Sequence, residues 1–336
     1  MYTSTDTDQM GFLGRAWNWM LYRVENCYKW YYTGRLEELT REVFGKDAVS
    51  IGDVEKKFRI LLANYDPILS YPVPLPPNII PVGGLQTRRS NELSDDVQKI
   101  LDTAQNGVIY FSLGTFVLPS IWPMEKKKIF LDVFSKLNQT VLWKYEEDDL
   151  TDVPRNVIVR KWFPQNNILA HRNVRLFITH GGALSVQETI YNGVPVVGLP
   201  FMYDQLTNVA MMEARSLGKG LVLGTLNSDI VHKAIKEVLD NPKYSQNIRK
   251  VSKAFRTQKE TPLERAIFWI EYVLEHKDLS FLNTRARSMT WYQRDNLDIF
   301  LFYLFFIIIA ALLLVKLFKL YLSDLRPKYT EKLKDN

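Results

Sequence analysis

Between residues 108 and 217 short apolar runs alternate with longer stretches of helical period. The runs at 108–113, 141–144, 157–159, 175–179 and 196–199 have the length and composition of strands buried on both faces. Helices are expected between them at 124–137, at 167–170, from Gly181-Gly182 through Tyr191, and at 206–217. This order predicts a parallel sheet with helices on both faces. Two more helices are expected at 229–240 and 262–275. Upstream, 11–33 reads as an aromatic-rich helix with Trp17, Met20, Leu21 and Val24 on one face. Residues 36–44 read as a second helix closed by Gly45, and 58–63 as a short buried strand. Residues 72–81 hold five prolines. Proline fixes φ and removes an N–H donor, so 71–81 is expected to be an extended linker and a domain boundary. Near the C-terminus, 299–315 is a run of 17 residues without a charge. It is apolar on all sides and, with its apolar flanks, approaches the ~30 Å of a bilayer core.

Charge sharpens the reading of that last run. The chain carries a net +6, and the segment 316–336 holds six cations against three anions. A basic tail directly after an apolar run suits a membrane helix with a cytosolic end. The rest of the chain is near neutrality, which argues against nucleic acid as the partner. A single cysteine, Cys27, excludes an intrachain disulfide. Asp6 and Asp8 form an Asp-x-Asp pair, but in a polar terminus with no strand before it, so no metal site is expected there. Glu146-Glu147-Asp148-Asp149 reads as a solvated loop.

The candidate chemistry follows the predicted strands. In an open parallel sheet, ligands bind beyond the carboxyl ends of the strands. The strand at 175–179 runs into His180-Gly181-Gly182 and then a helix carrying Ser185 and Glu188. Glycines let a backbone approach a ligand closely, and a helix N-terminus attracts anions. Ser112, Gly114 and Thr115 end another strand; Trp162 and Gln165 follow a third; Asp204 and Gln205 follow a fourth. An indole can stack on a base, and a carboxylate with an amide can hold vicinal hydroxyls. Other readings fit the same residues. Ser185 and Glu188 have capping-box spacing, Trp162 fits a core position, His180 a structural histidine and Asp204 a loop cap.

The span Trp162-Phe-Pro-Gln165, His180-Gly-Gly, Ser185, Glu188, Gly193-Val-Pro195, Pro200 and Asp204-Gln205 resembles the signature of the UDP-glycosyltransferases, most closely the insect branch. The resemblance runs from about Leu36 to the tail. It implies a GT-B fold, in which a C-terminal Rossmann-like, doubly wound α/β domain holds the donor nucleotide. The chain then divides into a remnant of the N-terminal acceptor domain with the linker (1–80), a donor domain (81–290), a transmembrane helix (296–318) and a basic cytosolic tail (319–336). The resemblance implies Trp162 stacking on uracil, with Gln165 beside the base or ribose. His180, Ser185 and the neighbouring glycines would hold the diphosphate, Glu188 the ribose hydroxyls, and Asp204 and Gln205 the sugar. Leu184 stands where relatives usually carry Asn, so the diphosphate would lean more on Ser185, His180 and backbone amides.

The family's reaction is inverting transfer of a hexosyl group, here expected to be glucose, from a UDP-sugar to a hydroxyl of a small lipophilic acceptor. The UDP-sugar is the co-substrate, and no metal or other cofactor is implied. The family's general base is a histidine early in the N-terminal domain. The four histidines here, His171, His180, His232 and His276, all follow the linker. No residue of this chain is therefore expected to be the base, and no secretory leader is apparent, which reads as N-terminal truncation. Lys332 and Lys334 resemble a dilysine retrieval signal of the endoplasmic reticulum, and Asn138-Gln-Thr140 is a glycosylation sequon suited to a lumenal face. One reading is a transferase represented by an incomplete chain. The other is a truncated isoform that binds UDP-sugar, associates with full-length relatives and does not turn over.

Overall fold

The apolar runs of the central region become the strands of one parallel sheet. A computed structural model describes residues 10–88, 92–276 and 278–332, and the chain divides into two units, Met1–Lys277 and Asp278–Asn336. The first unit opens with α1 (Phe12–Phe44), α2 (Ile51–Lys57), β1 (Leu61–Ala63) and β2 (Ile79–Pro81). Then follow α3 (Asp95–Thr103), β3 (Val108–Ser112), α4 (Met124–Ser135), β4 (Thr140–Lys144), β5 (Val157–Arg160), α5 (Gln165–Leu169), β6 (Val174–Thr179) and α6 (Ala183–Asn192). It ends with β7 (Val196–Gly198), α7 (Asp204–Ala214), β8 (Gly218–Gly220), α8 (Ser228–Asp240), α9 (Pro242–Arg256) and α10 (Pro262–Glu275). The second unit contains α11 (Trp291–Arg294) and α12 (Leu297–Lys332).

The six-stranded sheet has the order β5-β4-β3-β6-β7-β8, with every pairing parallel. Strand order reverses at β3, where the chain leaves toward β4 and β5 and returns to β6. Such a switch point opens a crevice at the carboxyl edge. Alternate strand residues feed two core layers. Ile109, Phe111, Val141 and Trp143 pack with α4 and α8 on one face, and Val108, Tyr110, Leu142 and Phe177 with α3, α6 and α9 on the other. Phe111 stacks on Phe130 at 4.9 Å and on Trp143 at 5.0 Å between ring centres. Full burial of each such side chain contributes about 1.5–3 kcal/mol.

Several expectations need correction. Residues 11–33 and 36–44 form one 33-residue helix, because Gly34 costs only about 1 kcal/mol in a helix interior and nothing caps the chain there. No α1 residue is buried, so the face of Trp17, Met20, Leu21 and Val24 makes no core in this chain. The strand expected at 58–63 is only Leu61–Ala63, and Leu61 is exposed. The expected linker ends in a strand, since β2 pairs in parallel with β1 through Leu61–Ile79, Leu62–Ile80 and Ala63–Pro81. Segment 66–70 is also tied to the sheet unit. Leu69 lies in its core, and the Arg215 guanidinium donates to the carbonyls of Ile68 (2.9 Å) and Ser70 (2.6 Å). The acidic run at 146–149 is not simply solvated. Glu146 pairs with Lys144, Asp148 with Lys161 and Asp149 with Lys127. Helices α2, α3 and α9 and strand β8 have no counterpart among the sequence-based expectations.

In the second unit, Leu297–Leu322 of α12 is long and apolar enough to cross a membrane. Its 26 residues rise about 39 Å at 1.5 Å each. Asp6, Asp8 and Lys334 lie outside the described residues.

Candidate functional site

Strands β3 and β6 are in register at their carboxyl ends, with Ser112 opposite Thr179. The turns that follow therefore meet. The backbone N–H of Gly114 donates to the Ser112 hydroxyl (3.3 Å), and that of Gly181 to the Thr179 hydroxyl (3.2 Å). Gly181 has φ +83°, and a Cβ there would lie 2.5 Å from Val209, so only glycine fits. The His180 imidazole is boxed between two other glycines. A Cβ on Gly114 would stand 2.8 Å from its Cε1, and one on Gly182 2.5 Å from its Nε2. Burial lowers the His180 pKa, with the Asp204 charge opposing. Its Nδ1 is buried with no hydrogen-bond partner among the described residues. A satisfied structural histidine would have one.

Helix α6 begins at once. Its N-cap is Gly182, which has no side chain to cap with, and Ser185 is the third residue inside the helix. The capping-box alternative for Ser185 and Glu188 therefore fails. The cap comes instead from α7, where Asp204 Oδ2 accepts the N–H of Ala183 (3.1 Å) and the Asn208 amide (2.8 Å). The N–H groups of Leu184 and Ser185, in the first turn, have no intrahelical acceptor and lie at the positive end of the helix dipole. One turn on, Glu188 is half-buried, and burial raises its pKa above the usual carboxylate value. Gln165 reaches over from α5, its Nε2 donating to Glu188 Oε2 (2.6 Å) and to Ser185 Oγ (3.2 Å).

These groups surround one cleft of about 640 Å³. Ser112, Gly114, Thr115, Trp162, Gln165, His180, Gly182, Ser185 and Glu188 all line it. Trp162 is 66% exposed, so it is no core residue and offers a free indole face. Three expected site residues stand apart. Gly181 packs under the turn against Val209, and Asp204 lines a neighbouring cavity. Gln205 is buried, and its Oε1 accepts the N–H groups of Phe201 (2.8 Å) and Met202 (3.2 Å), bracing that loop. Removing the Asp204 cap (Asp204→Ala) is expected to cost about 1 kcal/mol, or roughly 2–4 °C in Tm by calorimetry. An unchanged Tm would mean that the cap contributes nothing.

The cleft also has lining residues that the sequence reading passed over. Tyr110 contributes to the wall, and burial holds its phenol well above the ordinary value. Lys144, buried at the end of β4, donates to the Gly114 carbonyl (2.8 Å) and to Glu146 Oε1 (2.7 Å). It fixes the glycine turn with its own charge paired to Glu146, and Arg88 brings positive charge to the cleft. A lysine at the carboxyl end of a buried strand was the signal available.

The arrangement suits a nucleoside diphosphate. It offers an aromatic platform, a carboxylate with an amide for vicinal hydroxyls, and a helix N-terminus with the Arg88 cation for phosphate. Comparison with known proteins agrees. The family model described as UDP-glucoronosyl and UDP-glucosyl transferase matches residues 1–329. UDP-glycosyltransferase UGT5 of Dactylopius coccus is 34% identical over 348 residues, covering 100% of this chain and 66% of that protein. UDP-glucuronosyltransferase 1A9 of Mus musculus is 33% identical over 311 residues, covering 92% of this chain and 58% of that protein. The chain thus spans roughly three fifths of the length of such relatives. In fold it is similar to a crystal structure described as the glycotransferase of kitacinnamycin, with TM-score 0.59 and 20% identity over 77% of this chain and 66% of that one. The parallel sheet with its carboxyl-edge cleft is that of a GT-B glycosyltransferase, and the chain belongs to the UDP-glycosyltransferase family.

Proposed function

We propose that this chain is the donor-binding half of a UDP-glycosyltransferase. It holds a UDP-hexose, glucose being the favoured sugar, for inverting, metal-independent transfer to hydroxyl groups of small lipophilic acceptors. The observation that carries this reading is the gathering of nine separately predicted residues around one cleft. Trp162 stacks on uracil, Glu188 and Gln165 take the ribose hydroxyls, and His180, Ser185 and the α6 N–H groups take the diphosphate. In the transfer, a base removes the acceptor hydroxyl proton, and the oxygen attacks the anomeric carbon from the face opposite UDP. The C–O bond to the β-phosphate breaks, and its electron pair leaves on the phosphate oxygen. N–H donors at the start of α6, with the Arg88 charge, stabilise the negative charge that develops on that oxygen. The base is not among this chain's residues in the cleft. His180 is the cleft's only histidine, and burial keeps it a weak base in a phosphate-facing position. Helix α12 anchors the protein in the endoplasmic reticulum membrane, with the donor domain lumenal and the basic tail cytosolic.

The second reading is a non-catalytic module that holds UDP-sugar and associates with full-length transferases. One experiment separates the two. Microsomes carrying this chain, alone or with the N-terminal half of the coccid relative, are given labelled UDP-glucose and a panel of phenols and lipophilic alcohols. Glucoside from the pair, lost with Glu188→Ala, is the expected result. Protein that binds UDP yet gives no product in either combination would leave the binding module. Product from the chain alone would contradict the missing base.

A further inference from the structure

The loop bracing Asp204 carries an unusual residue. Tyr203 has φ +55° and ψ −133°, with its side chain 66% exposed. Among the described residues, Asp152, Tyr203, Ser216 and Asn296 are the non-glycine positions with positive φ, and Tyr203 is the one with a ring. Glycine would adopt this backbone without strain, whereas a bulky residue persists there only where its surroundings over-determine it. They do so on both sides. Gln205 clamps the N–H groups of Phe201 and Met202, and Asp204 is tied to Ala183 and Asn208. The strain is therefore held in place by two side chains that the donor-site reading had placed on the sugar.

Tyr203 borders a cavity of about 480 Å³ with Asn64, Asp66, Asp204 and Asn208. Ala183, at the start of α6, lines both this cavity and the donor cleft, so the two adjoin at the phosphate end. Amides and carboxylates beside an aromatic ring are the chemistry that recognises a pyranose. Hydroxyls bond to the polar groups, and the sugar's C–H face lies on the negative face of the ring.

We propose that Tyr203 is a specificity-determining residue that presents its ring to the hexosyl group of the donor. This rests on the reading of the cleft as the UDP site. The test is isothermal titration of the detergent-solubilised full chain with UDP, UDP-glucose and UDP-glucuronate, for wild type, Tyr203→Gly and Tyr203→Phe. Tyr203→Gly relieves the backbone, so its Tm should rise by about 2–4 °C. It should bind the preferred UDP-hexose about fivefold more weakly and UDP within about twofold of wild type. Tyr203→Phe should keep the sugar affinity. Unchanged UDP-hexose affinity in Tyr203→Gly, with UDP still bound, would overturn the role of the ring alone. Equal weakening of UDP and UDP-hexose would also overturn it, leaving Tyr203 a loop support. Failure of wild type to bind UDP would overturn the cleft reading itself.

Discussion

Gly182→Ala is expected to weaken UDP binding at least tenfold while leaving the fold intact. Gly182 has φ −61° and ψ 145°, extended backbone that alanine adopts freely, so the effect is purely one of space. The new methyl would stand 2.5 Å from His180 Nε2, and the ring already lies close against Gly114. His180 must leave its slot, and the diphosphate loses a donor. A hydrogen bond to a charged group contributes about 1.5–3 kcal/mol, or roughly 10–100-fold in affinity. His180→Ala should give a loss of the same size, and the double variant should be no worse than either, because both remove one contact. Titration calorimetry of the three variants checks this. Gly182→Ala with wild-type affinity would mean that the imidazole does not touch the diphosphate.

Glu188→Ala is expected to cost tenfold or more in UDP affinity, with a pH signature that identifies the cause. Burial raises the Glu188 pKa, so the free cleft holds its proton to a higher pH than an ordinary glutamate does. In the proposed complex the ionised form accepts from both ribose hydroxyls, and the protonated form would do so less well. UDP affinity should therefore fall on acidification from neutral pH, starting above the usual glutamate range. Glu188→Gln should lack that limb and keep only the titration of the diphosphate itself, which both proteins share. Identical pH profiles for wild type and Glu188→Gln would place the carboxylate away from the ribose.

Much of this was visible in the chain before any coordinates. Strands β3 to β7 are apolar runs, all but β4 with glycine or proline near an end, and a strand buried on both faces has little other composition open to it. The nine residues that meet at the cleft were legible because they end or follow such strands, and parallel strands deliver their ends to one edge. What escaped has physical reasons. Helix α9 is polar on average, yet Tyr244, Ile248, Val251 and Phe255 recur at helical spacing behind the Asn241 N-cap, a weak but real signal. Strand β8 is Gly-Lys-Gly, which has no strand propensity. It pairs because the β7 edge needs a partner and because a side chain at Gly218 would collide with the Val196 carbonyl. Lys144 and Tyr110 escaped because period-two patterning cannot assign a face when both are buried. Gln205 was legible as conspicuous, but whether its amide turns outward or braces its own loop depends on Tyr203, whose backbone no sequence pattern foretells.

The central claim is that the carboxyl-edge cleft holds UDP. It is tested most directly by titrating UDP into the solubilised chain and into Trp162→Ala and Glu188→Ala. Wild type should show saturable one-site binding, weakened about tenfold or more in each variant, the indole because base stacking contributes ~1–3 kcal/mol. No binding by wild type, or unchanged affinity in both variants, would contradict it.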